Sequence, residues 1–158
     1  MERCDRIFRT EKYRRAIALI DEFEKDRIYC LHGFAHCADV ARLMYITSLE
    51  KDLRIKKDVI YAAAMLHDIG RAEQYMNGSD HEIKSAELAE ELLPECGFSE
   101  EETAAVASAI KLHRSGGGVS PLAELLAEAD RKSRLCFTCR AAATCKWAED
   151  ERNMNIEI

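Results

Sequence analysis

Apolar residues recur along most of the chain at helical spacing and nowhere alternate over a useful length, so the pattern predicts helices and no strands. A first helix is expected over roughly Glu11 to Lys25, where Tyr13, Ile17, Ile20 and Phe23 share one period. Tyr29 to Phe34, which contains Gly33, reads as a connector. A second helix is expected from about Ala35 through Leu49, carrying Val40, Leu43, Met44 and Tyr45. A third begins near Lys57 and ends at His67 or Asp68, with Gly70 as its C-terminal stop. Arg71 to Gly78 reads as a loop. Ser79 and Glu82 have the spacing of a capping box and open a fourth helix that ends before Pro94. Ser99 and Glu102 repeat that spacing for a fifth, which reaches His113. Ser120 followed by Pro121 starts the sixth, because proline is tolerated in a helix's first turn. The expectation is an all-α bundle of about six helices over residues 1–133, with 134–158 as a short cysteine-containing extension packed on or trailing the same domain.

Composition agrees with one compact helical domain. The chain has 158 residues, only two of them proline, and 47% of its residues are apolar against 33% charged. A net charge of -6 argues against a nucleic-acid polymer held by phosphate attraction, although it leaves room for a small phosphorylated substrate. No stretch resembles a signal peptide or a membrane span, so a cytoplasmic protein is expected. The Ser115-Gly116-Gly117-Gly118 linker has no strand before it, which disfavours a dinucleotide or Walker fingerprint.

The chemistry concentrates on one pair. His67 and Asp68 close the apolar run Val59 to Leu66, and burying a carboxylate there is costly unless it is paired, hydrogen-bonded or bound to a metal. As a bland alternative, His67 would interact with the helix dipole beside an exposed Asp68. His36 upstream, and His81, His113 and Asp130 downstream, supply further imidazoles and a carboxylate, each near a helix end. Such a set suits a divalent transition metal. His81, just after a helix cap, can equally be solvated, and a protonated His113 is favoured at a helix C-terminus in any case. His32, one turn before His36, is expected to support the site rather than to ligate.

His36 with Val40 and Arg42, His67-Asp68 with Ile69-Gly70, and Ala129-Asp130 together resemble the HD superfamily of metal-dependent phosphohydrolases, over roughly residues 32–133. The resemblance implies that His36, His67, Asp68 and Asp130 hold a first metal. It also implies that His81 and His113 join a bridging Asp68 on a second, as in family members that bind two ions. The ions would be drawn from Fe, Mn, Co, Zn or Mg, with metal-bound hydroxide attacking a nucleotide or other small phosphate ester or anhydride. Asp68 and His67 would be central to catalysis, with Arg71 and Arg114 on the substrate phosphate. In ligand layout, Ile110-Lys111-Leu112-His113 followed by a Ser/Gly loop and Ala129-Asp130 is similar to the bacterial hydrolases of symmetrical dinucleoside tetraphosphates. The chain departs from two other branches. Arg71-Ala72 stands where guanosine tetraphosphate hydrolases carry Glu-Asp, and no tyrosine precedes a proline as in the cyclic-di-GMP branch. A similar ligand set in some HD proteins carries two irons that activate oxygen, and a nucleotide-binding module without turnover is a third reading.

Of the seven cysteines, Cys30, Cys37 and Cys96 read as small packing groups. Cys136, Cys139 and Cys145 have a spacing that suits a zinc or iron-sulfur site short of one ligand, for which Cys4 or Cys96 are the candidates within the chain. Three reduced thiols are the equally weighted alternative.

Overall fold

The computed structural model describes residues 1–113 and 120–156. Among them are eight α-helices and no strand: α1 (Glu2–Arg9), α2 (Glu11–Glu24), α3 (Phe34–Glu50), α4 (Lys57–Leu66), α5 (Arg71–Asn77), α6 (His81–Glu95), α7 (Glu100–Leu112) and α8 (Pro121–Lys132). Three single 3-10 turns follow, at Cys136–Thr138, Ala142–Thr144 and Glu149–Glu151. The all-α expectation holds, with two more helices than the hydrophobic pattern announces.

The axis of the bundle is α4. It is apolar on every side, and Val59, Ile60 and the run Ala62 to Leu66 are all buried, as a helix enclosed by others requires. It packs against α1, α3, α6, α7 and α8. Its three consecutive alanines let neighbours approach, while Ile60, Met65 and Leu66 fill the space between them, each stabilising the core by ~2 kcal/mol through burial. Val40 and Met44 of α3, Ile110 of α7 and Leu126 of α8 close the same core. The C-terminal end of α4 therefore delivers whatever follows it into the middle of the molecule.

Several boundaries differ from the pattern, each for a local reason. Helix α1 is held by charge: Arg3 bonds Asp58 at the start of α4 and Glu102 in the first turn of α7, and its guanidinium lies 4.1 Å from the centre of the Phe98 ring. Thr10 ends α1 and caps α2, its hydroxyl accepting from the Tyr13 N–H. Asp80, not Ser79, caps α6, accepting from the Glu82 and Ile83 N–H groups. Pro94 lies inside α6 rather than beyond it. The helix stops at Gly97 (φ 90°), where the Phe98 N–H donates to Leu93 O and the Gly97 N–H to Pro94 O, a Schellman arrangement. The Ser99–Glu102 capping box and the Ser120 cap form as the sequence anticipates.

Gly70 is not a left-handed stop. Its φ is -67°, and it begins α5 in the stretch expected to be a loop. The glycine is needed for close approach: a Cβ there would lie 2.3 Å from His81 O and 2.5 Å from Ser85 N. The Gly70 N–H donates to Ser85 Oγ (2.9 Å), which locks α6 against the turn after Asp68. No helix among the described residues is long and apolar enough to cross a membrane.

Candidate metal centre

Five helix ends converge on one point. His36 lies in the first turn of α3, His67 caps the end of α4 with Asp68 next to it, His81 opens α6, His113 caps the end of α7, and Asp130 is in the last turn of α8. All six residues singled out as ligand candidates thus meet. His81 is 1% exposed and His113 5%, so the solvated alternative does not describe either.

Asp68 is the centre of the cluster. One of its oxygens, Oδ2, stands 3.3 Å from His67 Nε2 and 3.7 Å from His36 Nε2. The other, Oδ1, stands 3.5 Å from His81 Nε2. Two groups of potential ligand atoms result, His36–His67–Asp68 and Asp68–His81–His113, and Asp68 is the member they share. Asp130 Oδ1 joins the first group, 3.1 Å from His36 Nε2 and 3.8 Å from His67 Nε2.

The surroundings fix how the rings present themselves. His67 Nδ1 donates to Ala64 O (2.7 Å) and His113 Nδ1 to Ile110 O (2.6 Å), because a carbonyl can only accept. Ser133 Oγ donates to Asp130 O (2.7 Å), which leaves that hydroxyl to accept from His36 Nδ1 (3.2 Å). All three rings therefore turn Nε2 toward the carboxylates, the arrangement by which outer partners orient metal-ligating histidines.

The electrostatics are those of a site built for a cation. Both Asp68 oxygens and His67 Nε2 are buried and make no hydrogen bond among the described residues. The Arg71 guanidinium, 2.8 Å from Oδ1, offsets the burial of that oxygen, while Oδ2 and His67 Nε2 each cost ~1–3 kcal/mol unless a ligand satisfies them. Burial opposes ionisation of Asp68, yet His67 and Arg71 outweigh it and hold the carboxyl well below the usual carboxylate range. Burial likewise disfavours the His67 imidazolium, but Asp68 and Asp130 overcome this and push its pKa up to about 10. A divalent ion competes for the same lone pairs without the proton, and this donor set of imidazole and carboxylate fits one.

Two basic side chains flank the centre. Arg71 Nε lies 2.8 Å from Asp68 Oδ1. Arg134, the first residue of the C-terminal extension, donates to Asp130 Oδ1 (2.7 Å), lies 3.4 Å from His36 Nε2 and stacks near Trp147. Its four-residue spacing from Asp130 was the available signal. His32 is buried against Glu24, Nδ1 2.5 Å from Oε1, and the Tyr75 hydroxyl donates to the same carboxylate oxygen. Glu24 and Tyr75 went unnoticed because they meet His32 only in three dimensions. Arg114 falls outside the described residues. Cys136, Cys139 and Cys145 are not gathered at zinc-ligand spacing: no three of their sulfurs lie within 4.8 Å of one another. A cleft of about 630 Å³ opens onto the centre along its His36–Asp130 edge and past Arg71.

This convergence of helix ends on a His-Asp pair is the architecture of the HD domain. The HD domain profile matches residues 33–135, and the chain belongs to that family, a superfamily of metal-dependent phosphohydrolases. An uncharacterized protein of Clostridium beijerinckii (strain ATCC 51743 / NCIMB 8052) is 37% identical over 156 residues, 99% of each chain. A 55-residue segment, 35% of this chain and 6% of the other, is 46% identical to a bifunctional uridylyltransferase/uridylyl-removing enzyme of Erythrobacter litoralis (strain HTCC2594). The crystal structure of a predicted HD superfamily hydrolase from an uncultured Thermotogales bacterium superposes with a TM-score of 0.64 at 28% identity, covering 89% of this chain and 81% of that one.

Proposed function

We propose that the chain hydrolyses a nucleotide or another small phosphate ester or anhydride at a two-metal centre. His36, His67, Asp68 and Asp130 would hold one ion; His81 and His113 would hold the other together with Asp68. The observation that carries this reading is Asp68 itself, a buried carboxylate whose two oxygens face two different histidine groups, Oδ2 toward His67 and His36 and Oδ1 toward His81. The imidazole-rich donor set favours Fe, Mn, Co or Zn over Mg. When bound, such ions lower the pKa of water and polarise a phosphoryl oxygen.

The side chains of the protein do the rest. Arg71, at the junction of cleft and centre, holds the substrate phosphate as a charge-assisted donor. Arg134 holds Asp130 in orientation. The carbonyls of Ala64 and Ile110 and the Ser133 hydroxyl occupy the Nδ1 side of the rings and keep the Nε2 atoms facing inward, where an ion would take the place of a proton. Although the chain is acidic overall, Arg27, Arg71, Arg134, Lys146 and Arg152 line the cleft against Asp39 and Asp130, which draws an anionic substrate inward. The segment in common with uridylyl-removing enzymes supports a substrate of nucleotide type.

The test is phosphate or nucleotide release from a panel of mono-, di- and dinucleotides. It is run anaerobically with Mn, Co or Fe(II), with a chelator control. Chelator-sensitive release is expected. Metal binding with no release from any member of the panel would overturn the hydrolase reading and turn attention to the oxygen-activating di-iron alternative.

A further inference from the structure

The seven cysteines divide into two sets. Cys4, Cys37 and Cys96 are at most 1% exposed and belong to the hydrophobic core; Cys4 Sγ donates to Asp58 O and Cys37 Sγ to His32 O. The other four, Cys30, Cys136, Cys139 and Cys145, all line the one cleft beside the metal centre, and all are free thiols. Cys30, read from the sequence as a packing residue, shares that cleft with the C-terminal trio. It comes from the loop before α3, more than a hundred residues earlier in the chain.

A contact from the residue before Cys30 ties its loop to that trio. Arg134, two residues before Cys136, lines the same cleft as Cys30. The Tyr29 hydroxyl, one residue before Cys30, donates to Thr144 O (3.2 Å), one residue before Cys145. The loop is thus pinned at the Cys145 end of the trio. The trio itself sits on tight turns, the Cys139 N–H donating to Cys136 O (3.1 Å) and the Cys145 N–H to Ala142 O (3.3 Å).

The tail lacks the means to hold this shape alone. Beyond Arg134, its buried apolar residues among those described are Cys136 and Ala141, while Leu135, Phe137, Met154 and Ile156 are exposed. Turns with so small a core need a covalent or metal staple. Around the thiols, Arg152 donates to Cys145 O and Arg27 to Cys30 O, and Arg134 and Lys146 line the same cleft. These cations offset the negative charge of bound thiolates.

We infer that Cys30, Cys136, Cys139 and Cys145 ligate an iron-sulfur cluster that staples the C-terminal tail to the loop before α3, beside the His-Asp centre. A single zinc is disfavoured by spacing. Four thiolates at ~2.3 Å from zinc stand ~3.8 Å apart, whereas no three of these sulfurs lie within 4.8 Å of one another. A cluster spreads its thiolates over several irons and so accepts wider spacing. Because the staple joins the segment leading to His36 with the one leaving Asp130, its loss would loosen Arg134 and the cleft wall.

The full chain, purified anaerobically and reconstituted with ferric iron, sulfide and dithiothreitol as the reductant, is assayed for acid-labile sulfide, which iron at the His-Asp centre does not carry. The expected result is sulfide in about a one-to-one ratio with the iron bound beyond that centre. Cys30→Ser and Cys139→Ser are expected to lose the sulfide, and Cys4→Ser to keep it. Absence of sulfide from the wild-type chain overturns the inference whatever the variants do. So does zinc bound by thiolates in place of iron, or full sulfide retained in Cys30→Ser.

Discussion

Replacing Gly70 by alanine should damage both the fold and the metal centre, and the structure says by how much. The new Cβ would sit 2.3 Å from His81 O, 2.5 Å from Ser85 N and 2.9 Å from Lys84 Cβ. Two of these are backbone atoms that no rotamer change can move. Bringing the oxygen even to 3.0 Å requires α6 and the His-Asp turn to separate by ~0.7 Å in a close-packed interior. Overpacking of this kind costs ~1–3 kcal/mol, and straining the Gly70–Ser85 hydrogen bond adds ~1 kcal/mol. For a domain of this size that lowers Tm by ~5–15 °C. The displaced group carries His81, whose Nε2 lies 3.5 Å from Asp68 Oδ1, so the second ion should be lost before the first. Gly78→Ala is the control. Gly78 has φ 79° and open space around its Cβ position, so alanine there costs only ~1 kcal/mol of backbone strain and leaves metal content intact. Thermal denaturation and metal stoichiometry of both variants decide the matter. A Gly70→Ala protein with wild-type Tm and two ions would refute the close-approach argument.

Arg3→Ala removes the ties from α1 to Asp58 and Glu102 and should cost ~1–2 kcal/mol in urea unfolding, as expected for a partly buried charge network. Bonds from Arg3 and then Lys56 hold the Glu102 carboxyl down to about 2, below its ordinary 4.5. Its contribution is therefore full above about pH 4.5 and is lost as pH falls toward 2, so Arg3→Ala should flatten that acid limb of the stability curve. Glu24→Ala strands the buried His32 and Tyr75 and should cost ~2–3 kcal/mol, read as a lower urea midpoint. Arg71→Ala should lower kcat/KM by ~10²-fold with metal content unchanged, and full activity in that variant would remove Arg71 from substrate binding.

The sequence made legible those elements whose signals add up within a short window. Helices α2, α3, α7 and α8 each span three or more turns of apolar period, α4 is a nearly unbroken apolar run, and α7 and α8 begin at side-chain caps visible as Ser99–Glu102 and Ser120-Pro121. Helices α1 and α5, at 8 and 7 residues, are too short to show a period. One depends on Arg3 reaching residues 55 and 99 positions away, the other on a single buried residue, Ala72. Pro94 misleads as a stop because the Schellman turn three residues later satisfies the carbonyls of the last turn. At the centre, His67-Asp68 stands out because charge is rare at the end of an apolar run. His36 and Asp130 stand out only by resemblance to a family. The burial of His81 depends on Gly70, whose role as a contact rather than a stop is invisible without α6 beside it. Glu24 and Cys30 act through partners brought near by folding and carry no local signature, and Arg134 shows only its four-residue spacing from Asp130.

The most direct test of the two-metal reading is anomalous diffraction from crystals grown with Mn or Fe(II), collected at the metal's absorption edge. The account predicts two peaks per chain. Asp68 should lie between them, with His36, His67 and Asp130 around one and His81 and His113 around the other. A single peak that leaves His81 and His113 without metal would contradict the shared role of Asp68, and no peak at Asp68 would contradict the metal centre altogether.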